Sequence, residues 1–342
     1  MDTMKSTSES PSIYSENLLE HLLQSEAWGR LKGQFGWTPQ RVQMGKAAAQ
    51  ILFKRLPLGF TIAYVPKGPT VDWTDVVQCQ ALFQAIHQAA KKQRAVFLKI
   101  EPNLVDPGPT MEPLNENQSK AAIHFLTQAN FIPGDTIQPQ SSLVVDISGD
   151  EAAILASMKQ KTRYNIRLAQ KKEVTIRCGD DADMKVFHEL SRLTSSRDGF
   201  GVHSLTYYQQ AYQQFAPQHC ALLLAEFKGE PLAALMVFGH IEDAYYLYGA
   251  SSDTHRNLMP TYLIQWEAIR WAKRQGYTRY DLWGIPNEPL ERLEADFSTR
   301  SDGLWGVYRF KRGFGGQLVK TIGAFDFVYQ PYFYKLYRFL RK

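Results

Sequence analysis

The feature that most constrains this chain is the order of elements between Cys220 and Trp283. Cys220 to Phe227, Leu232 to His240 and Ala244 to Ala250 are rich in aliphatic, β-branched and aromatic residues and read as strands, the first two joined by the turn Lys228-Gly229-Glu230. A loop then leads into a helix predicted over Thr261 to Gln275, stopped by Gly276, and into a strand at Tyr280 to Trp283. A meander followed by a helix and a further strand implies a mixed sheet with helices packed on it, an α/β (α+β) class.

The first half carries a looser echo of this order. Leu18, Leu19, Leu22, Leu23, Trp28 and Leu31 recur with helical spacing and predict a helix over Glu16 to Gly33. Strands follow at Ala49 to Lys54 and Thr61 to Val65, then a helix from Trp73 to Arg94 and a strand at Val96 to Glu101, closed by Pro102. The stretch Asp106 to Gln118 reads as a linker, and a strand at Ser142 to Ile147 suggests a boundary near Ile147. At 342 residues, two domains are expected, preceded by a Ser-rich, disordered segment over residues 1–14. This order matches the core of the GNAT acyltransferase fold, so two tandem GNAT-like domains are expected. Fold alone fixes no chemistry. The loop where acetyl-CoA enzymes carry a glycine-rich phosphate cradle reads His255-Arg256-Asn257-Leu258-Met259-Pro260. It lacks the glycines, and Pro260 removes an N–H donor.

The net charge of +5 is unevenly spread: residues 159–177 carry +6 and residues 309–342 carry +7, leaving the rest at −8. Two basic segments on an acidic protein suit an anionic partner, whether phosphate, nucleic acid or lipid head group. One is a helix predicted to begin after Ser148-Gly149-Asp150, with Leu155, Met158, Thr162, Ile166 and Ala169 on one face and a cationic stripe of Lys159, Arg163, Arg167 and Lys171 at i, i+4 spacing. The other ends in YQPYFYKLYRFLRK, residues 329–342, a basic amphipathic segment that suits either a membrane surface or packing against the first domain. Cys79, Cys178 and Cys220 are too far apart for a zinc site and read as buried, inert thiols. The N-terminus lacks the apolar core of a signal peptide, and no stretch reaches the roughly 18 apolar residues of a membrane span, so a cytoplasmic protein is expected. No Ser/His/Asp or Cys/His nucleophile arrangement and no metal-ligand spacing is evident, and neither metal nor cofactor is expected.

Four blocks, in order, carry a resemblance: QSEAWGRLK at 24–32, MKQKTRYNIRLAQKKEV at 158–174, YLYGASSDTHRNLMPTYLIQWEAIRWAKRQGYTRYDLWGIP at 246–286 and YRFKRGFGG at 308–316. The chain resembles the FemABX aminoacyltransferases, which move an amino acid from aminoacyl-tRNA to the stem peptide of a peptidoglycan precursor. The resemblance implies that the C-terminal segment returns to the first domain, giving domain 1 as 15–147 plus 318–342 and domain 2 as 148–317. Some members carry a long helical arm in the second domain; the short stretch from Ile285 to Gly303 leaves no room for it and points to the compact FemX-like members, acting on a UDP-linked or lipid-linked muropeptide.

The resemblance also implies roles. Lys32 falls where the family holds the precursor's phosphates, and His203 where some members have an arginine on the diphosphate, with Arg197 as a substitute. Tyr246 and Tyr248 match a Tyr-x-Tyr strand whose period of two turns both rings to one face, either to line a substrate-binding peptide groove or to pack in the core. Lys311 and Phe310 correspond to a pair at the reaction centre, the ammonium stabilising the developing negative charge and the ring stacking on a terminal base. Glu101 is placed to hold or deprotonate the attacking amine, or to serve as a structural hydrogen-bond acceptor. Lys159, Arg163, Arg167, Lys171 and Arg312 are candidate tRNA contacts. The alternative chemistry on this fold is an acyl-CoA-dependent N-acyltransferase, against which the altered 255–260 loop argues.

Overall fold

The computed structural model describes residues 20–106, 116–199 and 201–340; the Ser-rich residues 1–14, most of the 106–118 linker and the last two residues lie outside them. The chain enters through a turn at Leu22–Gln24 and helix α1 (Glu26–Gly33). The single helix expected from Glu16 is broken at Ser25, which is extended and whose hydroxyl accepts from the Trp28 N–H to cap α1. Strands β1 (Trp37–Met44), β2 (Ala47–Arg55) and β3 (Thr61–Val65) follow. Then come helix α2 (Val76–Lys92), strand β4 (Ala95–Ile100), helix α3 (Glu116–Gln128) and strand β5 (Ile132–Gly134). Of these, β1 has no counterpart in the sequence reading.

The second half opens with β6 (Ser141–Asp146), α4 (Glu151–Ser157), α5 (Gln160–Lys171), β7 (Thr175–Cys178), α6 (Met184–Asp198) and α7 (Leu205–Phe215). It continues with β8 (Cys220–Phe227), β9 (Glu230–His240), β10 (Asp243–Ser251), α8 (Pro260–Arg274) and β11 (Arg279–Asp281). It closes with α9 (Leu290–Asp296), α10 (Trp305–Lys311), β12 (Gln317–Lys320), β13 (Ala324–Val328) and α11 (Pro331–Leu340). One seven-residue helix, α9, stands in the stretch where an arm was sought.

Two sheets result, of order β1-β2-β3-β4-β13-β5 and β12-β6-β11-β10-β9-β8-β7. Each is antiparallel apart from one central parallel pair, β3 with β4 and β10 with β11. The sheets do not divide at Ile147. Strand β6 pairs with β11 and β12 in the second sheet, while β13 pairs with β4 and β5 in the first. The chain therefore crosses between sheets before Ser141 and again between Lys320 and Ala324, so the second sheet is built from the continuous run β6–β12 and the first from β1–β5 together with β13.

The second sheet is covered on both faces, by α5 and α8 on one and by α1, α6 and α7 on the other. That explains the unbroken apolar run of β8, whose first six residues are buried. The first sheet packs α2 and α3 on one face, with Ile51, Phe53, Leu82, Phe83 and Leu98 in its core. Cys79 and Cys220 are buried as expected, but Cys178 is exposed, because it ends β7 at the edge of its sheet. Among the described residues, no helix is long and apolar enough to cross a membrane.

Candidate functional site

The site begins where the second parallel pair comes apart. Strands β10 and β11 pair over Asp243/Arg279, Ala244/Tyr280 and Tyr245/Asp281, after which β10 continues to Ser251 against β9 alone. A bulge follows at once: Tyr246 lies opposite Val237 and Tyr248 opposite Met236, so Leu247 is an extra residue. The bulge overturns the expectation that Tyr246 and Tyr248 share a face. Tyr246 packs with the core under α5 and α8, and Tyr248 with the core under α6 and α7.

Across the opening, the Asp281 carboxylate accepts from the Ser142 hydroxyl and, at 2.7 Å, from the Trp283 N–H, which fixes Trp283 in the left-handed region at φ +61°. Burial pushes the Asp281 carboxyl above its ordinary pKa, while those two hydrogen bonds and nearby Lys67 pull the other way. The Trp283 turn aims two carbonyls into the opening, and Lys311 meets them, its Nζ donating to Trp283 O at 3.0 Å and Gly284 O at 2.9 Å. Lys311 is only 6% exposed and its ammonium lies 5.6 Å from the Tyr246 ring centroid. Burial lowers its pKa to about 7, against the opposing pull of Asp281. It is the last residue of α10. Phe310 beside it is half-buried between Tyr262 and Phe314, at 5.2 and 5.0 Å.

The glycines after Lys311 bring this helix end against its neighbours. A Cβ on Gly313 would sit 2.2 Å from Thr162 Oγ1, and the Gly313 carbonyl accepts from the Lys159 N–H at 2.9 Å. That contact falls at the break between α4 and α5, where one continuous helix was expected. The break also takes apart the cationic stripe. Arg163 turns its guanidinium back onto the Met158 and Ala156 carbonyls, leaving Lys159, Arg167 and Lys171 exposed. Arg312 is held by Glu294, at 2.8 Å through Nε, and stacks 3.7 Å from the Phe297 ring centroid. The Arg312 guanidinium holds the Glu294 carboxyl down at about 2.

On the opposite face, Lys32 donates to the Tyr207 hydroxyl at 3.1 Å and lies over the Trp28 and Tyr207 rings; Tyr207 and Tyr248 share a hydroxyl contact of 3.1 Å. His203 stacks on Tyr207 at 3.9 Å, and partial burial together with the Lys32 charge lowers its pKa. Lys32, His203, Tyr207 and Tyr248 thus form one cationic and aromatic cluster. Arg197 sits in the last turn of α6, bound to Asp253 at 2.9 Å and to the Ser251 carbonyl, further along β10. Glu101 lies at the end of β4 with both oxygens engaged, accepting from the Tyr64 hydroxyl and from the Ile137 and Gln138 N–H groups.

Two groups near this site carried no mark in the sequence reading. Lys67 is 8% exposed, donates to Pro139 O at 3.2 Å and lies 5.7 Å from the Trp283 ring; burial lowers its pKa, and Asp281 and Glu101 hold it up. His21 is buried beside Tyr245 and Trp283, held neutral by burial and by nearby positive charge. A lysine inside Pro-Lys-Gly-Pro at a strand end is the only cue to Lys67; His21 had none beyond its helix.

A family model described as the FemAB family matches residues 7–230 and 228–342. A lipid II:glycine glycyltransferase of Staphylococcus saprophyticus is 26% identical to this chain over 92% of it and 90% of the relative, in an alignment of 385 residues, longer than this chain. Among solved structures, FemX superimposes with a TM-score of 0.80 at 23% identity, covering 92% of this chain and 94% of that one. A tandem GNAT protein from the clavulanic acid biosynthesis pathway superimposes at 0.51 with 10% identity, over 86% and 83%. Both likenesses concern the fold, which is a tandem of two GNAT-like halves. With nearly its whole length matched by the family model, the chain belongs to the FemAB family.

Proposed function

We propose that this protein transfers an amino acid from aminoacyl-tRNA to the stem-peptide amine of a peptidoglycan precursor, UDP-linked or lipid-linked, at the inner face of the membrane. The name of the relative, a lipid II:glycine glycyltransferase, favours glycine and a lipid-linked acceptor. The observation that carries the reading is Lys311: a buried amine, ionising near neutrality, set on two carbonyls where the β10/β11 ladder opens.

An aminoacyl ester is already activated, so transfer needs positioning and a charge for the oxyanion. The acceptor amine attacks the ester carbonyl, a C–N bond forms, and the carbonyl oxygen becomes negative. The Lys311 ammonium stabilises that charge until the C–O bond to the ribose breaks and the ribose hydroxyl takes up the proton the amine releases. Phe310 offers a ring for the tRNA end, and the exposed Lys159, Arg167 and Lys171 offer charge to its backbone. On the other face, Lys32 with His203, Tyr207 and Tyr248 suits the precursor's phosphates. Donor and acceptor would then approach from opposite faces of the second sheet and meet at the opening. Glu101 is a positioning group on this reading, since its oxygens are already committed.

The test is transfer of radiolabelled amino acids from a charged tRNA pool to UDP-linked and lipid-linked muropeptides, with ribonuclease controls. Ribonuclease-sensitive label in a muropeptide is the expected result. No transfer to either acceptor, beside an active control enzyme, sinks the proposal.

A further inference from the structure

We infer that α11 and the Pro57–Gly59 turn form a docking face for anionic phospholipid, laying this side of the first sheet on a bilayer. Helix α11 has its apolar side chains in the wrong place for a helix that only packs. Tyr332 is 87% exposed, Phe339 76%, Leu340 74% and Leu336 53%, while Tyr334 is buried against Phe97. At helical spacing, Tyr332, Leu336, Phe339 and Leu340 occupy one arc, with Lys335 and Arg338 on the arc beside it. An apolar arc flanked by cations is the pattern of a helix that lies in the plane of a membrane interface.

Two further observations extend the face beyond the helix. Leu58, held at φ +61° in the Pro57–Gly59 turn, is 77% exposed, and the adjoining Phe60 packs on Phe333 at 4.6 Å with the Arg94 guanidinium 4.8 Å from its ring. Beside α11 lies a cleft of about 750 Å³ with Ile132, Phe327, Val328 and Phe339 along it and Lys335 and Arg338 among its walls. A phosphate on the cations and an acyl chain on the apolar wall would fill it. The acidic groups nearby do not cancel this charge: Asp326 is buried against Lys99 at 2.7 Å, and Asp135 contacts Arg338 only at 3.8 Å. A two-fold pairing of copies through this face would set each cationic rim near its own like, which disfavours a second copy as occupant.

This deepens the proposed function, resting on it only for the value of a bilayer position to a lipid-linked acceptor. The test is co-sedimentation of the full chain with phosphatidylcholine vesicles, with and without phosphatidylglycerol. Binding to the anionic vesicles, weakened by salt, is expected. The double variants L336E/F339E and K335E/R338E, all at exposed positions, should each lower it roughly tenfold or more while melting and transfer to a UDP-linked acceptor stay unchanged. Failure of the unmodified chain to bind, binding by both variants as tight as the parent's, or self-association in place of vesicle binding overturns the inference. Vesicle binding without transfer to any acceptor would sink the catalytic reading and keep the docking face; transfer without vesicle binding would do the reverse.

Discussion

The two sheets each contain one central parallel pair, and they finish it in opposite ways. In the first, the ladder continues past the strands: Glu101 N donates to Val65 O at 3.1 Å and Gly68 N to Glu101 O at 3.0 Å. The Glu101 carboxylate then ties down Tyr64, Ile137 and Gln138, closing the pair. In the second, β10 bulges at Leu247, β11 turns away at Trp283, and a buried lysine stands in the gap. One topology yields a sealed wedge and an open one. On the proposed function, chemistry belongs where backbone pairing stops, while an acidic residue at a strand end whose oxygens are already filled acts as a clasp.

The sharpest way to break that contrast is Lys311→Ala. Loss of a charge aimed at the oxyanion should lower kcat by about a hundredfold to a thousandfold, with KM for the precursor changed far less. Steady-state transfer assays check it; equal losses in turnover and precursor binding would remove Lys311 from the reaction centre. Glu101→Ala should do the reverse. Leaving the buried Tyr64 hydroxyl and the partly buried Ile137 and Gln138 N–H groups without an acceptor should cost about 2 kcal/mol in chemical denaturation, with turnover of the folded enzyme nearly unchanged. A Glu101→Gln variant as stable as the parent but as slow as Lys311→Ala would show that the first wedge is catalytic too.

A third test concerns the cost of the open wedge. With Lys311 ionising at about 7 in the fold and near its ordinary value when unfolded, the unfolded chain binds more protons between those values, so stability should rise with pH across that window. Lys311→Met should therefore stabilise the protein, by about 2 kcal/mol below neutrality and less toward pH 10, as read by denaturation at several pH values. In the active enzyme the ammonium is lost as pH rises through about 7, so transfer should decline there, and Lys311→Arg should move that decline out of range. A Lys311→Met protein less stable at every pH would make the lysine a structural strut.

Much of the frame was legible because it is local. Strands Thr61–Val65 and Cys220–Phe227 stand where their apolar runs end, and α8 stops just before Gly276, two residues after Arg274. Apart from the break at the local Ser25 cap, the departures trace to partners distant in sequence. Strand β1 carries Pro39 and shows no buried alternation, which only a sheet edge tolerates. Lys159 gives α5 no side-chain cap, so nothing in the local sequence announces a break that the Gly313 carbonyl helps to hold. The place of β6 in the second sheet, like the bulge at Leu247, has no local cue. Lys311 and Phe310 were singled out through resemblance, but the surroundings that bury the lysine, the Trp283 and Gly284 carbonyls and the Tyr246 ring, are distant in sequence.

The smallest expected effect divides residues that looked alike in the sequence. Arg163 and Arg167 were adjacent members of one cationic stripe, yet Arg163 is spent on the carbonyls that end α4, and Arg167 faces solvent with Lys171. Arg167→Glu with Lys171→Glu should raise KM for charged tRNA by roughly fivefold to tenfold, more at low salt, and leave kcat and melting nearly unchanged, since screened phosphate contacts add affinity without touching the reacting atoms. Arg163→Ala should instead lower stability by about 1 kcal/mol, because the carbonyls it serves lose a charged donor, and should leave the tRNA dependence as it was. Equal effects of the two on tRNA KM would mean that the helix binds as a whole cationic face, and the division seen at the α4/α5 break would carry no functional meaning.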